Sequence, residues 1–449
     1  MFKNISKDTL KETFRVAAPA MIESFFSAVV TFIDSKMVSS LGTAAVASVA
    51  LTTNPIMLRL TPFTAMNIAT AALIARRKGE GRQKDANEVL LTSLTLTIGL
   101  ALVLSIAFFF LADPLIHFAG SLEDTHENAV LYFRTIIFVT VFTGIQNCIN
   151  AAHRGAGFTK ISMQTHLVST SVNLVFDYLL IEGRFGFPRL EIFGAALASC
   201  LGMVVACILS ILSLFRKTTY LQWRILVREK LRPKMEIVKR ILKLAYSVFI
   251  EQVLIRFGML LTSKMAAGLG TDPMAAQRVA GNFTSLSYSF GDGLQAAAVA
   301  LVGRSLGQGR PDLAKSYAKT CRIIGICCAV LVAIVFFLLI RPLFALFFKD
   351  PAVVDLGASL CVPLVITVFF QIQQVINIGA LRGAGDTLFT AILGVLCTTL
   401  IRPAGAYLGA YLLGFGLTGI WLGIVADQVI RFAASAIRLA KGKWMTLKI

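Results

Sequence analysis

The sequence predicts an all-α integral membrane protein, with twelve transmembrane helices in two six-helix parallel repeats related by a pseudo-twofold axis along the membrane normal. Three observations carry that expectation. Apolar runs long enough to cross a bilayer recur along almost the whole chain. Basic residues crowd one side of those runs. The second half of the chain repeats the first at a fixed spacing.

The apolar runs come first. Of 449 residues, 56% are hydrophobic and only 15% charged, where a soluble domain carries roughly 25% charged residues. A helix rising about 1.5 Å per residue needs about 20 apolar residues to cross the hydrocarbon core. Twelve such runs lie at roughly 14–40, 46–75, 88–112, 128–152, 161–182, 192–215, 240–267, 274–303, 317–340, 355–380, 388–413 and 417–438. The segments between them are too short to bury a core of their own, so no soluble domain is expected.

The charges orient the spans. The net charge of +19 raises the question of a nucleic-acid partner, but the placement of the basic residues excludes one. Segments on the side of the N-terminus hold 31 Lys and Arg, including Lys3, Lys7, Lys11, Arg15, the run Arg76-Arg77-Lys78 and ten between Arg216 and Lys243. The opposite side holds four: Arg184, Arg189, Arg341 and Lys349. The loop from Asp113 to Glu127 has acids and two histidines but no Lys or Arg. Such a split puts both termini in the cytoplasm, and a bacterial or archaeal cytoplasmic membrane is the expected location. A Lys-rich start leading straight into a full-length span argues against a cleavable signal peptide. All eight cysteines fall in or at the ends of predicted helices, so neither a disulfide framework nor a metal site is expected.

The repeat sets the architecture. Shifted by 228 residues, the halves align without a gap over more than a hundred positions. Glu23 meets Glu251, Ser35-Lys36-Met37 meets Ser263-Lys264-Met265, and Leu41-Gly42-Thr43 meets Leu269-Gly270-Thr271. Further on, Arg76, Gly79, Gly81 and Arg82 meet Arg304, Gly307, Gly309 and Arg310, and Arg154-Gly155-Ala156-Gly157 meets Arg382-Gly383-Ala384-Gly385. Shared composition does not keep charges, glycines and prolines in one register. Six spans per half return the chain to its starting side, so the repeats are parallel. The expected division is an N-lobe (1–215), a basic cytoplasmic linker (216–239) and a C-lobe (240–449). Transporters built this way place a substrate cavity between the halves and rock them.

Several motifs then carry a resemblance. The end of helix 1, Thr31-Phe-Ile-Asp34-Ser-Lys-Met37-Val-Ser-Ser-Leu41-Gly42, resembles the helix-1 signature of the multidrug and toxic compound extrusion (MATE) family. So do the two Arg-Gly-Ala-Gly motifs, Asn173-x-x-x-Asp177, and Gly194-Ala-Ala-Leu-Ala-Ser199. The likeness spans the whole chain. It implies a twelve-helix antiporter, acting as a monomer, that exports amphipathic, often cationic compounds against a proton or sodium gradient and needs no cofactor beyond that coupling ion.

Ionisable residues inside a membrane mark functional sites by default, and the repeat supplies an internal control. Asp34 corresponds to Thr262, Asn173 to Ile401 and Asp177 to Gly405. A fold requirement common to both halves does not explain this asymmetry; a site particular to the N-lobe does. Asp34, Asp177 and Ser199 each lie about six residues, roughly 9 Å, from the outer ends of their helices. Asn173 and Asp177, four apart, share a helix face. Two carboxylates close together in low dielectric can hold a proton near neutral pH, or bind sodium with the Asn carbonyl and Ser hydroxyl as further oxygen ligands. The resemblance implies that Asp34, Asn173, Asp177 and Ser199 form the coupling-ion site, with Ser199 where the family has Thr. The alternative is that Asp34 pairs with Lys36 or a headgroup while Asp177 caps local backbone. Pro19 removes a backbone donor inside helix 1 and permits a bend there, a hinge or a static kink.

The C-lobe acids read differently. Glu251 has a twin in Glu23, which suggests a shared packing role, yet it and Asp292, set among small residues, are also candidates for lining a cavity. Some family branches use a helix-7 Glu with a helix-10 Asp; this chain lacks that pattern, which points to the DinF-like branch with coupling in the N-lobe. Asp427 and Arg431, four apart, suggest an intrahelical ion pair; Arg256 and Arg402 find no account in the sequence. Gly79-x-Gly81 and Gly307-x-Gly309 are turn residues, and no phosphate-binding loop exists to take ATP. A flippase for lipid-linked precursors is the alternative within the same superfamily. A membrane-embedded enzyme would need a metal cluster or a nucleophile–base pair, and neither spacing occurs.

Overall fold

The computed structural model describes residues 7–447 except Ser40, Gly42, Gly120, Leu122 and Glu182, with Asp124 and several residues between Phe32 and Ala50 described by backbone only. Lys3, Ser40 and Gly42, and the side chains of Ser35 and Lys36, all used above, therefore lie outside the described residues. Every regular element among the described residues is a helix, as hydrocarbon requires of a backbone that must satisfy its own hydrogen bonds.

The first half contains α1 (Lys7–Ser39), α2 (Thr43–Gly79), α3 (Gln83–Phe110), the short α4 (Ala112–Phe118), α5 (Glu123–Phe138), α6 (Thr140–Gly155), α7 (Thr159–Leu180) and α8 (Glu191–Ser213). After α9 (Trp223–Arg228), the second half contains α10 (Met235–Gly268), α11 (Thr271–Gly307), α12 (Pro311–Ala345), α13 (Pro351–Ser359) and α14 (Cys361–Gly383). It ends with α15 (Thr387–Val395), α16 (Arg402–Tyr407) and α17 (Gly416–Lys441). Pairing α5 with α6, α13 with α14 and α15 with α16 gives six spans per half. Nine helical stretches among the described residues are long and apolar enough to cross a membrane, and the bent pair α5–α6 makes a tenth. The two spans that fall short of that apolarity are α7 and α11. Those are the helices carrying Asn173 and Asp177, and Asp292.

Two of the sequence-predicted spans are broken. The run at 128–152 stops at Val139 and bends by 51°, without a proline or glycine at the break. The run at 355–380 breaks earlier, at Leu360. The last-but-one span is wound with wide turns of π type over Leu396–Ile401 and Leu408–Leu412, a distortion often found beside functional residues.

The repeated glycines have a common cause. A Cβ at Gly155 would lie 2.4 Å from the carbonyl oxygen of Ala71, and one at Gly383 would lie 2.6 Å from that of Val299. Ala71 and Val299 are themselves repeat partners, so each Arg-Gly-Ala-Gly motif seats one helix against another backbone to backbone. Gly157 and Gly385 close the same motifs at φ +77° and +90°, a conformation side chains resist.

The chain forms two compact units, Phe25–Ala245 and Met1–Ser24 with Tyr246–Ile449. Both boundaries fall inside helices, α1 and α10, which run from one unit into the other. In the second unit the start of α1 packs on α11: Glu12 accepts a hydrogen bond from Arg304 at 2.7 Å, and Gly293 gives room for the backbone of Met21. Phe283, Leu294, Phe336, Phe344 and Trp421 centre that unit's core. In the first unit the linker is strapped to α3. Asn87, fully buried, accepts from the Gln222 amide at 3.0 Å. Gln83 donates to the Tyr220 carbonyl at 2.8 Å, and the Lys234 ammonium donates to Glu88 at 2.7 Å. That hydrogen bond holds the Lys234 ammonium above its ordinary value.

Candidate ion-coupling site

The site is assembled inside the first unit from α1, α5, α7 and α8. On α7, Asn173 and Asp177 stand one turn apart, and the Asn173 amide donates to Asp177 Oδ2 at 2.9 Å. The same amide reaches Ser199 Oγ on α8 at 3.3 Å. Close approach makes that possible: Gly202 sets α8 against α7, where a Cβ would lie 2.8 Å from the Ser169 carbonyl and 3.1 Å from Asn173 Cβ. Ser169 returns a hydrogen bond to the Gly202 carbonyl at 2.7 Å.

Asp177 is fully buried. Its Oδ1 accepts no hydrogen bond among the described residues, and the carboxyl group that comes within hydrogen-bonding reach of the Asp177 side chain is that of Asp34 on α1. A hydrogen bond between two carboxyl groups requires a proton on one of them, and without it the pair is a doubled negative charge in low dielectric. Either a proton or a small hard cation relieves that repulsion. The four residues predicted to act together are thus brought together.

Sequence reasoning missed a fifth. Tyr132 on α5 comes within hydrogen-bonding reach of Ser199 and lies close enough to feel the charges of both Asp34 and Asp177. It packs with Met37, Leu41 and Val49 beside Ile181 and Ala195. The repeat comparison contained the signal, since Tyr132 corresponds to Leu360. Among the described residues neither Asp34 nor Asp177 has a Lys or Arg partner; the Lys36 side chain lies outside them.

The second unit's acids are differently placed. Glu251, 2% exposed, pairs with Arg382 of the second Arg-Gly-Ala-Gly motif at 2.7 Å. Asp427 accepts from Arg431 Nε at 2.7 Å and from Arg402 Nε at 2.9 Å, while Arg431 also donates to Thr398. Arg402, without an account in the sequence, is therefore the interhelical partner of Asp427. Asp292 accepts from Ser24 of α1 at 3.3 Å. Arg256 is exposed on α10. Pro19 lies within α1, which stays helical on both sides of it. At the position equivalent to Asp177, Gly405 packs within 3.0 Å, measured from an added Cβ, of the Gly423 backbone, leaving no room for an acid.

Comparison with known proteins places these features. The MatE family model matches residues 19–179 and 248–408, two copies in the register of the internal repeat to within one residue. A protein named "Probable multidrug resistance protein NorM" from Thermotoga maritima is 27% identical over 97% of this chain and 93% of its own length. One of the same name from Streptococcus pneumoniae is 28% identical over 95% of this chain and 93% of its own. The solved structure of an outward-facing multidrug resistance MATE family transporter of the MOP superfamily superposes with a TM-score of 0.88. It covers 98% of this chain and all of the other at 23% identity, a likeness of fold.

Proposed function

Because the chain belongs to the MatE family of membrane transporters, and so to transport proteins rather than enzymes, we propose that it is a secondary active antiporter. On this reading it exports amphipathic, often cationic compounds from the cell in exchange for protons or sodium, by alternating access. It works as a monomer in a bacterial or archaeal cytoplasmic membrane, surrounded by lipid and with both termini inside.

One observation carries the coupling part of the reading. Asp34 and Asp177 face one another with neutral oxygen donors around them and no cationic partner among the described residues. Glu251 and Asp427, by contrast, are already neutralised by built-in arginines. A carboxylate that keeps a permanent guanidinium partner gains little from a transported cation. One that faces only another carboxylate gains much. The names of the relatives support export of drugs, and the placement of the acids supports coupling in the N-terminal half, the pattern expected of the DinF-like branch.

The test is dye efflux from proteoliposomes under separately imposed proton and sodium gradients. Asp34→Asn and Asp177→Asn should abolish gradient-driven efflux, because an amide neither takes up a proton near neutral pH nor offers sodium a negative charge. Thr262→Asn, at the duplicated position, should cost far less. Ser199→Ala should have an intermediate effect under a sodium gradient and little under a proton gradient. Full transport by Asp34→Asn under both gradients would move the coupling site elsewhere, to Glu251 and Asp292 first.

A further inference from the structure

Arg59, on α2 in the first unit, is 1% exposed in the middle of a membrane span, and the coupling site makes no direct use of it. Its Nη1 donates to the Ile136 carbonyl at 3.1 Å and to the Thr140 hydroxyl. Its Nε and Nη2 meet no acceptor, and no carboxylate pairs with it, among the described residues. A buried guanidinium with no acid partner needs another reason to be there.

Its partners supply one. Ile136 and Thr140 bracket the break at Val139 between α5 and α6. Ending a helix in hydrocarbon strands its last carbonyls, and here each of three is taken by a side chain. The Cys200 thiol on α8 donates to the Thr135 carbonyl at 3.4 Å, Arg59 donates to that of Ile136, and the Thr140 hydroxyl donates to that of Ile137 at 2.5 Å. The guanidinium also stands at the negative end of the α5 dipole. The break is thus held from outside the helix, with no proline or glycine to make it.

The repeat shows that a break at this level is not a requirement of the fold. Arg59 corresponds to Ser287, and Val139 corresponds to Thr367, which lies within the continuous helix α14. The second half breaks its equivalent span seven residues earlier, at Leu360, so the cation and a break at this level are present together in the first half and absent together in the second, as are Asp34, Asn173, Asp177 and Tyr132. Tyr132 stands on α5 two turns before the break, and Cys200 is the neighbour of Ser199.

We propose that Arg59 is a positioning residue for the ion site: by holding α5 broken at Val139 it places the Tyr132 hydroxyl against Ser199 beside Asp34 and Asp177. The proposal rests on the coupling reading above. Its first readout does not. From Asn128 to the break is about 16 Å of α5, and α6 adds about 24 Å. With a 51° bend the ends are about 36 Å apart, against about 40 Å for a straight helix. Nitroxides at Asn128→Cys and at Lys160→Cys, which opens α7 one tight turn past the end of α6, with Cys327, Cys328 and Cys361 replaced and Cys200 kept, report the change in that separation by pulsed electron resonance.

Arg59→Met should lengthen the distance by about 2–4 Å and raise the KM for the coupling ion about fivefold, the scale of one hydrogen bond, with kcat at saturating ion little changed. Arg59→Lys, which keeps a donor and a charge, should restore both. Tyr132→Phe should raise the ion KM by a similar factor without lengthening the distance, and combining it with Arg59→Met should add nothing further. Should Arg59→Met not insert, Thr140→Val removes one partner and is read the same way. An unchanged distance overturns the proposal. So does a lengthened distance with an unchanged ion KM, or KM effects of Arg59→Met and Tyr132→Phe that multiply. Full transport by Asp34→Asn sinks the coupling reading instead, while the distance still decides whether Arg59 holds the break.

Discussion

Neutralising Glu251 and neutralising Asp177 should have opposite consequences, although both are buried acids in apparently similar settings. Glu251→Gln leaves the Arg382 guanidinium, 7% exposed in the intact pair, without its counter-charge. Removing one partner of a buried ion pair costs about 3–5 kcal/mol. At roughly 2–4 °C of Tm per kcal/mol for a unit of about 200 residues, unfolding of the second unit should fall by about 10 °C. Gly394 leaves little slack for the pair to rearrange, since a Cβ there would already lie 2.7 Å from Glu251 Oε1. Asp177→Asn strands no cation, and its amide oxygen can still accept from Asn173, so Tm should stay within about 2 °C of the parent. Trp421 and Trp444, both buried in the second unit, report its thermal unfolding in detergent by their fluorescence. The double variant Glu251→Gln with Arg382→Met, which removes both charges, should recover most of the loss. A Glu251→Gln protein as stable as the parent would refute the assignment of this pair to the scaffold. An Asp177→Asn protein destabilised as severely would refute the distinction between the two acids.

The remaining expectations concern packing, the linker and orientation. Gly155→Val and Gly383→Val should each abolish the monodisperse peak in size exclusion, because the added atoms meet backbone at 2.4 and 2.6 Å; Gly99→Ala, with nothing within 4 Å, should not. Asn87→Ala removes the anchor of the linker on α3 and should increase tryptic cleavage after Arg224 and Arg228 several-fold, whereas an unchanged digest would show the strap to be held elsewhere. Single cysteines at Glu123 and Gly414 should react with an impermeant thiol reagent outside intact cells, and one at Arg228 should not. Outside labelling of Arg228→Cys would invert the orientation.

The repeat, the spans and four of the five residues at the candidate site were legible in the sequence for one reason. A duplicated chain carries its own reference, and Asp34 against Thr262, or Asp177 against Gly405, reads as a departure without any relative to consult. Tyr132 was equally available by that comparison but looks like one more interfacial aromatic until Ser199 is seen beside it. Arg402 was beyond reach because its partner, Asp427, lies on a helix 25 residues on, and distorted turns set which face of the helix Arg402 occupies. The break at Val139 left no trace in local sequence, since the groups that stabilise it come largely from α2 and α8. The crossing of α1 and α10 between units was hidden too. A hydrophobic run states that a helix spans, not which neighbours it packs against along its length.

The contact between Gly405 and Gly423 has a consequence for the history of the chain. After duplication the two halves were free to diverge at the positions of Asp34, Asn173 and Asp177 while the glycines at 155 and 383 kept the scaffold. With α16 settled onto α17 and an added Cβ at Gly405 only 3.0 Å from Gly423, a single base change placing an acid at 405 would meet backbone rather than an open pocket. A carboxylate there would require the two helices to separate first, at the expense of their present packing. If the coupling site lies in the first half, as proposed, the second half is barred from acquiring a counterpart of Asp177 by substitution at 405 alone.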